Sequence, residues 1–246
     1  MKKELKYLGM KAWQLSMRSK ARPLMLMGHP RSGSSLLMHL LCDHTDILGF
    51  GEYLTEYDSS QKLALAEFDI RRKAAGLYRE VSFIANQVNH RRITPRMDVL
   101  MQADTQFIFL IREPEASLSS MFRLSESRKK PMSHAAIGQV YIDRLKSMQA
   151  MVKEINPNFW MATTYEELTE NTEPTLQKIT DFLSLDNLLT PTYGVQKFTQ
   201  KWGDPSKHIL QGSIVKTHSA PVEFPSDILA QCNQVLSQTR MALNLS

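Results

Sequence analysis

The chain has 246 residues, 42% hydrophobic and 22% charged, with a net charge of +5. That suits one α/β domain with a substantial core, and the absence of a long apolar run or an apolar leader predicts neither a membrane-spanning helix nor a signal peptide. Two cysteines, Cys42 and Cys232, both in apolar helical patterns, exclude a disulfide framework and point to a reducing, cytoplasmic compartment.

Residues 1–22 carry Lys2, Lys3, Lys6, Lys11, Arg18, Lys20 and Arg22 against Glu4 alone. The basicity therefore belongs to an N-terminal amphipathic helix, residues 1–22, and not to a nucleic-acid-binding face on the domain, residues 23–246. Leu5, Leu8, Ala12 and Leu15 share one stripe of that helix. Two readings stand: a helix docked on the body, or one that makes peripheral contact with a membrane surface or a partner.

The apolar run Leu24, Met25, Leu26, Met27 predicts a buried strand, and Gly28 to Ser35 a tight loop. Leu36, Leu37, Leu40 and Leu41 then follow helical spacing. A strand that turns through glycines into a helix start aims several N–H groups, and the positive end of the helix dipole, at one point. That point is a seat for an anion. Gly28 and Gly33 keep the G-x-x-x-x-G spacing of a P-loop, but Ser34 stands where its lysine should follow, and the loop's cation is Arg31. This departs from an ATP-hydrolysing site. A nucleotide kinase or NTPase, and a non-catalytic module binding a nucleotide or a membrane, stay open as alternatives. His29 either contacts the anion or shapes the turn. His39 and His44 read as structural, with His44 the second choice, after Glu52, as a proton acceptor.

Helical patterns are expected over roughly 59–90, a buried strand at 107–111 and a helix from Pro114, a favoured first-turn residue. Further on come a helix over about 134–155, a strand at 159–163, a helix at 173–184 and a last helix at about 226–242. Prolines and glycines from Pro191 to Pro225 predict irregular loops over an active-site mouth. Apolar strands alternating with helices imply an α/β fold of three layers. A parallel sheet lies between helices, with ligands at the carboxyl ends of the strands.

The second strand ends in Ile111-Arg112-Glu113-Pro114, on the same edge as the loop, and Ser120 follows two helical turns later. A P-loop hydrolase would place an Asp there to hold Mg²⁺. An arginine fits a second phosphate bound bidentately without metal, or a salt-bridged strand end. Two anion seats on neighbouring loops suit a nucleotide phosphorylated at both ends of its ribose. His134, His208 and His218 keep no metal-ligand spacing with either cysteine, so no metal site is expected.

These motifs carry a family resemblance. PRSGSSLL at 30–37 resembles the 5′-phosphosulfate loop of sulfotransferases that use 3′-phosphoadenosine 5′-phosphosulfate (PAPS), which assigns Arg31, Ser32, Gly33, Ser34 and Ser35 to that co-substrate. FIFLIREPEASLSS resembles the same family's 3′-phosphate motif through Arg112 and Ser120. TTYEELTENTEPTLQKITDFLSL resembles a later segment whose tyrosine, here Tyr165, contacts the nucleotide. HTDILGFGEY is similar to a segment of tyrosylprotein and carbohydrate-type members whose acidic residue is the general base, here Glu52. The resemblance spans roughly 23–185 and implies the P-loop-like sulfotransferase fold. It also implies metal-independent, in-line transfer of a sulfuryl group from PAPS to a hydroxyl or amine of a small-molecule, sugar or peptide acceptor. Arg31 would stabilise the leaving phosphate. Glu52 would act as base, or else merely cap the helix that follows. The family's K-x-P lysine is replaced by Ile93, beside Arg92, and a C-terminal cation for the 3′-phosphate falls to Lys201, Lys207 or Lys216.

Overall fold

The computed structural model of the protein describes residues 2–16, 21–89, 95–199, 207–215 and 220–245. The strands β1 (Arg22–Gly28), β2 (Ile47–Gly49), β3 (Phe83–Val88), β4 (Gln106–Ile111) and β5 (Trp160–Thr164) form one five-stranded sheet in the order β2-β3-β1-β4-β5. Every pairing is parallel. The helices are α1 (Lys2–Ser16), α2 (Ser34–Asp43), α3 (Ser60–Lys73), α4 (Met97–Met101), α5 (Pro114–Ser127), α6 (His134–Val152), α7 (Tyr165–Glu170), α8 (Thr172–Leu183) and α9 (Ser226–Ala242).

The continuous apolar runs of β1 and β4 are divided between two layers by the two-residue period of a strand. Leu24, Leu26, Ile108 and Leu110 face one side, against Leu37 and Leu41 of α2 and Leu176 and Ile179 of α8. Met25, Met27, Phe107, Phe109 and Ile111 face the other, against Leu118 of α5, Ile137 and Leu145 of α6, and Leu236 of α9. The three layers expected from the sequence are present.

Two strands escaped the sequence reading. The helical pattern expected over 59–90 ends with α3 at Lys73, and β3 takes 83–88. Asn86 and Gln87 break its apolar run, yet both are buried, because β3 lies between β1 and β2. The Asn86 side chain also pins the chain beyond β2. It accepts from Tyr53 N at 2.8 Å and donates to Tyr53 O at 3.0 Å. At three residues, β2 is too short for periodicity to reveal. Both cysteines are buried and unpaired, and burial pushes the Cys42 thiol up to about 12 and that of Cys232 to about 11.

The N-terminal helix does dock on the body, but not by its leucine stripe. Met10 and Trp13 pack on Phe68 of α3, the Trp13 indole donates to Leu77 O at 2.9 Å, and Lys6 pairs with buried Asp69. No described helix is long and apolar enough to cross a membrane. Because all strands are parallel, the ends of β1, β2, β3, β4 and β5 meet along one edge, and the candidate residues gather there.

Candidate active site

The turn after β1 needs two left-handed residues, Arg31 at φ 67° and Gly33 at φ 90°. Gly33 caps α2 without a side-chain hydrogen bond, and since Leu36 N turns back to Gly33 O at 2.9 Å, the first-turn N–H groups left for the loop are those of Ser34 and Ser35. No other residue would fit there. A Cβ on Gly33 would sit 2.3 Å from Tyr165 Cδ2. Ser32 Oγ is buried and has no hydrogen-bond partner among the described residues, which is uncommon for a native hydroxyl.

Tyr165 is placed by its own helix start. Thr164 and Glu167 form a capping box, Glu167 N donating to Thr164 Oγ1 at 3.0 Å and Thr164 N to Glu167 Oε2 at 3.2 Å. The Arg112 guanidinium lies 3.9 Å from the centre of the Tyr165 ring and donates through Nη1 to Arg31 O at 3.3 Å. Its Nε is buried without a partner among the described residues, and burial lowers its pKa while leaving an arginine charged. Arg31 Nε donates to Ser120 Oγ at 2.8 Å. Arg31, Arg112, Ser120 and Tyr165, far apart in sequence, therefore form one cluster. Beside them Glu166 accepts from Glu113 N at 3.3 Å, and burial raises the pKa of its carboxyl.

Glu52 is half-buried just beyond β2, and its Oε1 accepts from Asn89 N at 3.3 Å. Asn89 Nδ2 donates to Ser34 Oγ at 2.7 Å, so one asparagine joins the carboxylate to the anion loop. Glu52 does not cap α3, whose N-cap is Ser59.

His29 resolves to the turn. The Arg112 N–H donates to Nε2 at 3.0 Å, while Nδ1 lies 3.0 Å from Pro30 O and so carries the proton. Burial depresses its pKa to about 4. The unfolded chain binds this proton near 6.5 and the folded one only near 4, so stability is full above pH 6.5 and falls as pH drops through that window. The expected loss by pH 4 is on the order of 3 kcal/mol. Urea midpoints at pH 7 and pH 4.5 for wild type and His29→Gln check it: the variant should lose less on acidification, and parallel losses would clear His29.

His39 and His44 each make contacts of their own. His39 bridges Ser35 O at 2.7 Å and Thr199 Oγ1 at 2.9 Å. His44, the second-choice base, follows the ten-residue α2 and lies about 15 Å along its axis from the loop. Its Nε2 is 3.0 Å from Asn187 O in the segment after α8, and its Nδ1 accepts from Asp46 N at 3.1 Å in the loop before β2, so both nitrogens are engaged away from the anion loop. The structure therefore does not bring His44 together with Glu52 and the anion loop, because an α-helix carries its two ends to opposite edges of the sheet. Arg92, Ile93, Lys201 and Lys216 lie outside the described residues, as does the side chain of Lys207.

Two neighbours of the candidate site carry no sequence motif: Asn89 and Arg144. Arg144, only 1% exposed in the middle of α6, donates through Nε to Gly28 O at 2.7 Å and through Nη2 to Val88 O. It thus ties the root of the anion loop to the residue before Asn89. Burial pulls its pKa down to about 10, against the opposing charge of Glu52. The available signal was a charge at Arg144 within the apolar spacing Tyr141, Leu145, Met148. Arg144→Met should strand two buried carbonyls and cost about 3 kcal/mol in denaturant unfolding, with Arg144→Lys recovering part of it. A change under about 0.5 kcal/mol would mark Arg144 as dispensable.

A parallel sheet whose central strand turns through a glycine loop into a helix without a side-chain cap defines a P-loop-like α/β fold. Residues 96–188, which include Arg112, Ser120 and Tyr165, match the model of the sulfotransferase family. The fold is shared with the sulfotransferase domain from the curacin biosynthetic pathway, at TM-score 0.59 and 15% identity over 93% of this chain and 100% of that one. It is shared equally with the sulfotransferase domain of the Synechococcus PCC 7002 olefin synthase, at 0.57 and 16% over 89% and 96%. A sulfotransferase from Alicyclobacillus acidocaldarius aligns at 0.56 and 13% over 92% and 98%. No curated protein matches the chain significantly. The segment 96–188 is thus similar to the sulfotransferase family, and the chain as a whole shares the fold of these sulfotransferase structures.

Proposed function

We propose that the protein transfers a sulfuryl group from PAPS to a hydroxyl or amine of a small-molecule, sugar or peptide acceptor. The observation that carries this reading is the convergence of two unsatisfied anion seats with one carboxylate. The first seat is the open start of α2 with the orphaned Ser32 Oγ. The second is Arg112, its buried Nε unpartnered, beside Ser120 and Tyr165. Glu52 stands next to the first seat, through Asn89. The residues fit a nucleotide with phosphates at both ribose ends.

When bound, PAPS supplies a sulfuryl group already activated on its 5′-phosphate. Ser32, Gly33, Ser34, Ser35 and the first-turn N–H groups of α2 hold that phosphate. Since Ser34 Oγ accepts from Asn89, its own proton is left for an anionic oxygen. Arg112 and Ser120 hold the 3′-phosphate, and Tyr165 contacts the nucleotide. Arg31, reaching from the loop to Ser120, sets a positive charge between the seats and stabilises the leaving oxygen; one such preorganised donor is worth about 3–4 kcal/mol. Glu52 takes the acceptor's proton.

Calorimetric titration with PAP, the desulfated product of PAPS, with AMP and with Mg·ATP tests the reading. PAP should bind without metal and at least roughly ten-fold more tightly than AMP. Preference for Mg·ATP would favour a kinase or NTPase, and no binding at all would remove the enzymatic reading.

A further inference from the structure

Helix α1 has two apolar faces, and the body uses only one. Met10 and Trp13 are buried against α3, with the Lys6–Asp69 pair fastening that side. On the opposite side Leu5, Leu8, Ala12 and Leu15 line up at helical spacing, and the leucines are 64%, 64% and 90% exposed. Three leucines on one outward stripe of a helix held to the body are an unpartnered surface, not scattered exposure. The segment is basic in sequence, with seven Lys and Arg and one Glu in the first 22 residues; Lys6 is taken by Asp69 and Arg22 lies in β1, while Lys11 is exposed beside the stripe.

We propose that this face docks on an anionic lipid surface, α1 lying in the plane of the interface. The leucines enter the boundary between headgroups and acyl chains, while Lys11 and the segment's basic residues other than Lys6 and Arg22 meet anionic headgroups. Charge decides between occupants. A second copy of the chain would bring the same positive excess face to face, whereas an anionic bilayer offers apolar depth and opposite charge together. The proposal is independent of the sulfotransfer reading.

Flotation of the full chain with phosphatidylcholine vesicles, with and without phosphatidylglycerol, tests it. The wild type should partition at least roughly ten-fold more strongly to the anionic vesicles and release as salt is raised. The triple variant Leu5→Ser, Leu8→Ser, Leu15→Ser should lose that binding while keeping its thermal midpoint, since these side chains are exposed. A wild type that fails to float with anionic vesicles overturns the proposal, and so does a triple variant that floats equally well. A concentration-dependent dimer abolished by the same variant, without vesicle binding, would give the face to a second copy and likewise overturn it.

Discussion

Glu52→Gln is expected to lower kcat by roughly 100- to 10,000-fold while PAP affinity stays within about two-fold. Glutamine keeps the length of the side chain and an oxygen for the Asn89 N–H, so the link from Asn89 to Ser34 survives. Only the proton acceptor is lost. The separation of rate from affinity is the informative part, because a variant that merely loosened the loop would weaken PAP as well. Single-turnover rates and calorimetry on the same preparation check it. A rate within ten-fold of wild type would make Glu52 a positioning residue and move the base elsewhere.

Arg112→Ala should weaken PAP by roughly 100-fold and leave AMP within about three-fold, since only PAP carries the 3′-phosphate. The guanidinium has one donor on Arg31 O and a buried Nε still unmatched, so a phosphate would complete a site already desolvated. Arg112→Lys is expected to fall between, because an ammonium keeps the charge but loses the planar stack on Tyr165 and the bidentate fork. Equal losses for PAP and AMP would mean that Arg112 shapes the loop instead of reading the 3′ end.

Several site residues were legible because their signals are local. The strand, loop and α2 occupy one contiguous stretch, so an apolar run, two glycines and a helical period suffice to place Arg31 to Ser35 at a helix start. Pro114 opens α5 as its position predicts, and the apolar run at 107–111 is β4. By contrast β3 was hidden behind Asn86 and Gln87, polar residues that become strand interior only when β1 and β2 close on either side.

By itself, the order of residues determined the α/β architecture, the glycine loop between β1 and α2 and the place of Arg112 at a strand end, since backbone geometry and short-range periodicity decide these, whereas Tyr165 was picked out by the family resemblance. It also determined that α1 is basic and carries a leucine stripe. Only the tertiary structure decided which way that stripe faces, that His29 is a buried turn residue, and that His44 sits at the end of α2 remote from the loop. It alone brought Asn89 and Arg144 to the carboxyl edge of the sheet. The physical reason is range: a periodic pattern says that a face is apolar, but what it packs against depends on surfaces brought together from the rest of the chain.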